Sequence, residues 1–157
     1  MRLVFWAGLW TLLLDQVTKY WIVHALNLRE LASLDVFPPF LNLRMAWNYG
    51  INFGLMSGAN PIMRWVLIAV ALLISALVLW WVHRDQGGRW QMLSAGLLIG
   101  GALGNVIDRV LYGAVADFIN MSCCGINNPF SFNVADIAVF AGAIGLVLFS
   151  PPAKNAS

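Results

Sequence analysis

Asp117 and Asp136 are the two residues of this sequence whose type and setting could do chemistry together. Asp117 stands between Ala116 and Phe118 with no basic residue within four positions, and Asp136 opens the apolar run FNVADIAVF. Two carboxylates brought close cannot both ionise cheaply, so one keeps a proton. Such a pair can activate a water and protonate a leaving amine, which is peptide hydrolysis without a metal or a covalent intermediate. No G-x-S-x-G, H-E-x-x-H or Walker sequence competes, and His24 and His83 fall on opposite sides of the layout set out below. Asp136 also has an innocent explanation, because Asn133 and Asp136 have the spacing of an N-cap and its N3 partner at a helix start.

Other polar groups sit in apolar surroundings, where a charge is expensive and suggests a function by default. Asp15 and Lys19 are four residues apart, share a helix face and can pair; a mutually neutralising ion pair is favoured over direct catalysis. Asn105 and Arg109 repeat that spacing, and Gly101 lies one turn earlier, which makes one stripe facing a helix neighbour. That stripe serves equally well for interhelical hydrogen bonding or for holding a polar backbone or a carboxylate. The two cysteines, Cys123 and Cys124, are adjacent; a disulfide between neighbours is strained and no metal site is completed, so they read as ordinary loop thiols.

These groups are positioned by a chain that is 61% hydrophobic and 10% charged over 157 residues, with a mean hydropathy of +0.77. That composition lies outside the soluble globular range. A net charge of only +2 gives no sign of a nucleic-acid partner. A bilayer core about 30 Å thick takes roughly 20 apolar residues per helix. Trp65 to Val82 and Trp90 to Ile107 run without a charge; Leu3 to Leu26 and Phe130 to Ser150 are long enough but carry Asp15, Lys19 and Asp136. The expected fold is an all-α polytopic membrane protein, a single domain over 1–157 with helices about 3–26, 62–83, 90–109 and 133–150. The first helix is expected to be retained, since no clean A-x-A cleavage site follows it.

Four spans put both termini on one side. Arg2, Arg84, Arg89 and Lys154 then fall in short inside segments, and Arg29, Arg44, Arg64 and Arg109 in two longer outside connections, so the positive-inside rule favours cytoplasmic termini by density only. In the first outside connection, about 27–61, residues 41–48 alternate apolar with polar as a half-buried strand does, and NYGINFG signals a turn. The third helix is expected to end near Asp117 and the fourth to begin near Asp136, with a hairpin between them. Gly96, Gly100 and Gly104 form a ridge for close helix packing, answered by Ala138, Gly142 and Gly145 on the fourth helix.

The chain resembles the bacterial lipoprotein signal peptidases (signal peptidase II, or prolipoprotein signal peptidase), membrane aspartic peptidases. Five ordered blocks carry the likeness: DQVTK at 15–19, NYGINFG at 48–54, GGALGNVIDR at 100–109, VADF at 115–118 and FNVAD at 132–136. Asn52 departs from the small residue usual in the family. The resemblance implies an intramembrane endopeptidase of the cell inner membrane that cuts diacylglyceryl-modified prolipoproteins before the lipid-modified cysteine. It implies Asp117 and Asp136 as the catalytic dyad. Asp15, Lys19, Asn48, Gly50, Gly101, Asn105, Arg109, Asn133 and Ala135 become its supporting and substrate-binding set. It further implies a small periplasmic sheet in the first outside connection, an active site at the periplasmic face, no metal and no cofactor. Its partners are prolipoprotein substrates and membrane lipids, and it is expected to work as a monomer. The rival from another class is a small ion-coupled transporter or channel using Asp15, Lys19 and Asp136 as a relay; the absence of an inverted repeat speaks against it. A membrane chaperone whose polar stripe merely binds helices is a third option.

Overall fold

The computed structural model describes residues 1–50, 61–85, 87–123, 125 and 128–150; Asn52 and Cys124 lie outside them. Helix α1 (Arg2–Tyr20) continues into one π-helical turn, Trp21–Ala25, and the chain then turns through Asn27 into the short helix α2 (Leu28–Leu31). Strands β1 (Ser33–Phe37) and β2 (Leu41–Asn48) pair antiparallel. Helices α3 (Pro61–Asp85) and α4 (Arg89–Tyr112) follow, then strand β3 (Val115–Met121) and helix α5 (Val134–Phe149). The architecture is mostly helical, with a three-stranded antiparallel sheet in the order β1-β2-β3.

The alternating stretch at 41–48 is a strand over those residues. The sheet nevertheless differs from expectation, because its third strand comes from the second connection and carries Asp117. Helix α4 stops at Gly113, whose φ of 82° is the left-handed value glycine adopts freely, and its N–H bonds Arg109 O. VADFINM then pairs with β2, setting Ala46 opposite Asp117 and Asn48 opposite Val115. Four successive β3 residues, Val115 to Phe118, are buried, so the period-two alternation that betrays a half-buried strand is missing here. The carboxylate therefore sits on a strand rather than at a helix end.

Among the described residues, two helices, over Ile62–Asp85 and Arg89–Tyr112, are long and apolar enough to cross a membrane. Helix α1 carries Arg2, Asp15 and Lys19 within its 19 residues. Helix α5, with 16 residues, is about 24 Å long, short of a bilayer core by itself.

The glycine ridge of α4 packs, but against α1 rather than α5. A Cβ on Gly96 would lie 2.6 Å from Ala7 Cβ, and one on Gly100 would run into Gly8 O and come within 2.8 Å of Thr11 Cβ. Helix α5 approaches a neighbouring face of α4, where Gly142 lies over Ser94 and Leu98 and Gly101 lies under Ala135 O. Small residues on two faces thus let α4 pack closely on both helices. Val4, Val82, Ala95, Leu98 and Leu146 form one apolar cluster between the helices, and Leu28, Leu43 and Phe118 form a second at the sheet. Cys123 is disulfide-bonded, not the free loop thiol expected.

Candidate active site

Three elements place the two carboxylates. Strand β3 carries Asp117, which is 3% exposed. The chain entering α5 folds back along that strand, with Phe132 and Ile119 bonded N–H to O in both directions at 2.8 and 3.0 Å. This return places Asn133, fully buried, beside Asp117. Asn133 is also the N-cap of α5: its side chain accepts from Asp136 N at 2.9 Å, and Asp136 Oδ2 accepts from Asn133 N at 3.1 Å. The capping box read from the spacing is therefore present.

Capping does not exhaust either residue. Asn133 Nδ2 donates to Asp117 Oδ1 at 2.6 Å and to Ala116 O at 3.3 Å, so one amide joins the strand carboxylate to the helix that bears the other. The remaining oxygen of Asp136, Oδ1, accepts from Asn105 Nδ2 at 2.9 Å. Asp117 Oδ2 accepts from Asn48 Nδ2 at 3.1 Å, and Asn48 Oδ1 takes the Gly50 N–H at 3.0 Å. Gly50, with φ 122°, is in a conformation that suits glycine. Burial, reinforced by the charge of Asp136, pushes the Asp117 carboxyl up to about 6 against the opposing hydrogen bonds from Asn48 and Asn133 and the charge of Lys19. Asp136 is only half-buried and Asn48 exposed, so the pair opens to the surface.

Behind this pair lies a buried ionic layer. Lys19 Nζ is 2.8 Å from Asp15 Oδ2, as the spacing implies, and equally 2.8 Å from Asp108 Oδ2. Its third contact is Asn105 Oδ1 at 3.1 Å. A donor-only ammonium on that oxygen fixes the Asn105 amide so that its NH₂ faces Asp136. Asp15 Oδ1 accepts the Ala135 N–H at 2.9 Å, tying α1 to the first turn of α5. Arg109 donates from Nη1 to Asn105 O at 3.3 Å, and its buried Nε has no hydrogen-bond partner among the described residues.

Every residue read from the sequence as part of the site is thus in one connected region, Gly101 by packing and the others by hydrogen bonds or charge. Two were missed. Asp108, 1% exposed, takes Lys19, the Gln16 amide at 3.1 Å and the Ala116 N–H at 3.1 Å, and so holds the strand next to Asp117. Gln16 also reaches Asp15 Oδ2 at 3.2 Å and Gly104 O at 3.3 Å. The signal for Asp108 was available: an acid inside an apolar helix needs a partner, and pairing Asp15 with Lys19 alone left it without one.

Fold and site together define a helical integral membrane protein with paired carboxylates where a small sheet meets the helix ends. The chain belongs to the signal peptidase II family of proteases: the family model described as Signal peptidase (SPase) II matches residues 8–150. It is similar to a lipoprotein signal peptidase of Rhodopseudomonas palustris, 39% identical over 163 residues, which covers 99% of this chain and 98% of that protein. A lipoprotein signal peptidase of Methylobacterium sp. is 41% identical over 138 residues, covering 88% and 82%. A bacterial membrane enzyme solved by the in meso method at 1.9 Å resolution superposes with a TM-score of 0.81 at 28% identity, over 98% of this chain and 96% of that one.

Proposed function

We propose that this chain is an aspartic endopeptidase of the bacterial inner membrane. It removes the signal peptide of diacylglyceryl-modified prolipoproteins by cutting before the lipid-bearing cysteine. The family and the names of its relatives support the substrate, and the paired carboxylates of the site support the catalytic type. The observation that carries it is the join of Asp117 and Asp136 through Asn133.

In this reading the pair holds one proton between two carboxylates. The ionised member takes a proton from water as the water oxygen attacks the scissile carbonyl, giving a tetrahedral intermediate. The protonated member then delivers its proton to the departing nitrogen, so the C–N bond breaks to a carboxyl and the amine of the lipid-modified cysteine. Asn48, Asn105 and Asn133 hold the carboxylates, and Arg109, with donor capacity to spare, binds the substrate backbone. Gly50 supports the Asn48 turn, Gly101 gives α5 its close approach, and Ala135 together with Asp15 and Lys19 fixes the helix that bears Asp136.

Helices α1, α3, α4 and α5 serve as the four spans, with cytoplasmic termini and the sheet on the periplasmic side. Asp15 and Lys19 of α1 pair with each other within the Lys19 layer. In this reading the protein works as a monomer. Purified protein should cleave a lipid-modified precursor and leave the unmodified precursor intact, and Asp117→Asn should abolish cleavage while the protein stays folded. Full cleavage by that variant would remove Asp117 from the chemistry.

A further inference from the structure

Arg64 lies in the first turns of α3, away from both carboxylates, yet its side chain is committed to the site's surroundings. Its Nη2 donates to Val110 O at 3.0 Å. Val110 belongs to the last turn of α4, whose final carbonyls lack intrahelical partners and attract a cation. Its Nη1 lies against Gly113, where a Cβ would be 3.7 Å away, so the guanidinium reaches the point where α4 ends and the path to β3 begins. Helix α3 packs chiefly on α4 and is otherwise largely exposed. A hydrogen bond at its outer end therefore does much to fix where that end sits.

The same end of α3 backs the turn that orients Asn48. A Cβ on Gly50 would come within 2.8 Å of Leu67 Cδ1 and 3.5 Å of Met63 Cγ, so Gly50 rests directly on α3 beside Arg64. The Gly50 N–H holds Asn48 Oδ1, and the Asn48 amide donates to Asp117. We infer that Arg64 is a positioning residue for the reaction. It latches α3 to the end of α4 so that α3 supports the Asn48–Gly50 turn and keeps the Asn48 amide on Asp117. The inference rests on Asp117 being part of the catalytic pair.

The test is a double-mutant cycle of Arg64→Gln with Asn48→Ala, read as cleavage kinetics and pH–rate profiles of purified full-length protein. Arg64→Gln should lower kcat roughly 3- to 10-fold, the size of one weakened hydrogen bond, with a smaller effect on KM. The apparent pKa of the pair should move upward, because the Asn48 bond opposes the rise at Asp117. Asp136, Lys19 and Arg109, the other charges around Asp117, are unchanged by the substitution. In an Asn48→Ala background the same change should cost almost nothing further. Equal cost in both backgrounds, or no change in kcat, overturns the latch. Should Arg64→Gln prove unstable, Leu67→Ala removes the support behind Gly50 and must show the same dependence on Asn48. Asp117→Asn separates the two levels: if it cleaves normally the dyad reading fails, whereas an inactive Asp117→Asn with an additive cycle removes Arg64 alone.

Discussion

Replacing Asp136 by Asn separates a helix cap from a catalytic group, because the residue both closes the capping box with Asn133 and sets its charge against Asp117. Asn keeps an oxygen able to accept from Asn133 N or from Asn105 Nδ2, but it removes one negative charge beside Asp117. If capping were its only role, the loss would be about 1 kcal/mol or less of stability with near-normal turnover. If Asp136 shares the chemistry, cleavage should fall roughly 10²–10⁴-fold. The double variant with Asp117→Asn should then be scarcely worse than either single, since members of one catalytic unit are not additive.

The same substitution has a signature in stability. Asp117 is pushed up to about 6 by burial first and by the charge of Asp136 second. Its folded pKa is raised, so between pH 4 and 6 the folded state binds more protons than the unfolded one. The stabilising contribution of the protonated form is complete below about pH 4 and is lost as the pH rises through about 6. The gap between an ordinary aspartate near 4 and one near 6 is worth about 3 kcal/mol. Asp136→Asn should shrink that pH-dependent loss without abolishing it, because desolvation remains. Thermal unfolding in detergent from pH 4 to 8, alongside cleavage of a lipid-modified precursor, measures both effects. Near-normal cleavage together with an unchanged pH dependence of stability would refute the dyad and leave Asp136 as a cap.

Gly100→Leu would drive a side chain into Gly8 O and Thr11 of α1, with a loss of at least about 1–3 kcal/mol; an unchanged midpoint in detergent would contradict the packing. Lys19→Met strands two buried carboxylates, Asp15 and Asp108, at a cost of roughly 3–5 kcal/mol. Adding Asp15→Leu should recover only part of that loss, because Asp108 stays unpaired; full recovery would mean Asp108 makes no real pair with Lys19. Cysteines introduced for Asp35 and for Asp85 should react with a membrane-impermeant reagent from the periplasmic and the cytoplasmic side respectively, and the reverse pattern inverts the topology.

The helices were legible because apolar length is a long-range average that survives local exceptions. The bounds near 62–83 and 90–109 lie within a few residues of α3 and α4. Strand β2 was legible because one face is less buried than the other and leaves an alternating pattern. Strand β3 was not: with Val115 to Phe118 all buried, its sequence has no period of two. What makes it a strand is a partner about seventy positions earlier in the chain, as the register of Ala46 with Asp117 shows. The glycine ridge was legible as a ridge but not as a partner choice, since small residues permit close approach without saying which helix comes near. Asp108 was hidden for a related reason. Spacing along one helix proposes Asp15 for Lys19, and nothing local proposes a second carboxylate from α4.

The placement of charges explains why so many asparagines crowd this region. Among the described residues, every hydrogen bond donated to Asp117 and Asp136 comes from a neutral group: the amides of Asn48, Asn105 and Asn133 and the backbone N–H of Asn133. The nearest ammonium, Lys19, is held by Asp15 and Asp108 and reaches Asp136 only through the amide of Asn105. A lysine or arginine bonded directly to the pair would favour both carboxylates in their charged form and lower both pKa values. In the proposed mechanism, the proton that the leaving nitrogen needs would then be missing at neutral pH. An amide orients a carboxylate through a hydrogen bond with less pull on its proton than a cation exerts. The ionic layer thus supplies rigidity from behind, and the three amides pass on orientation without passing on charge.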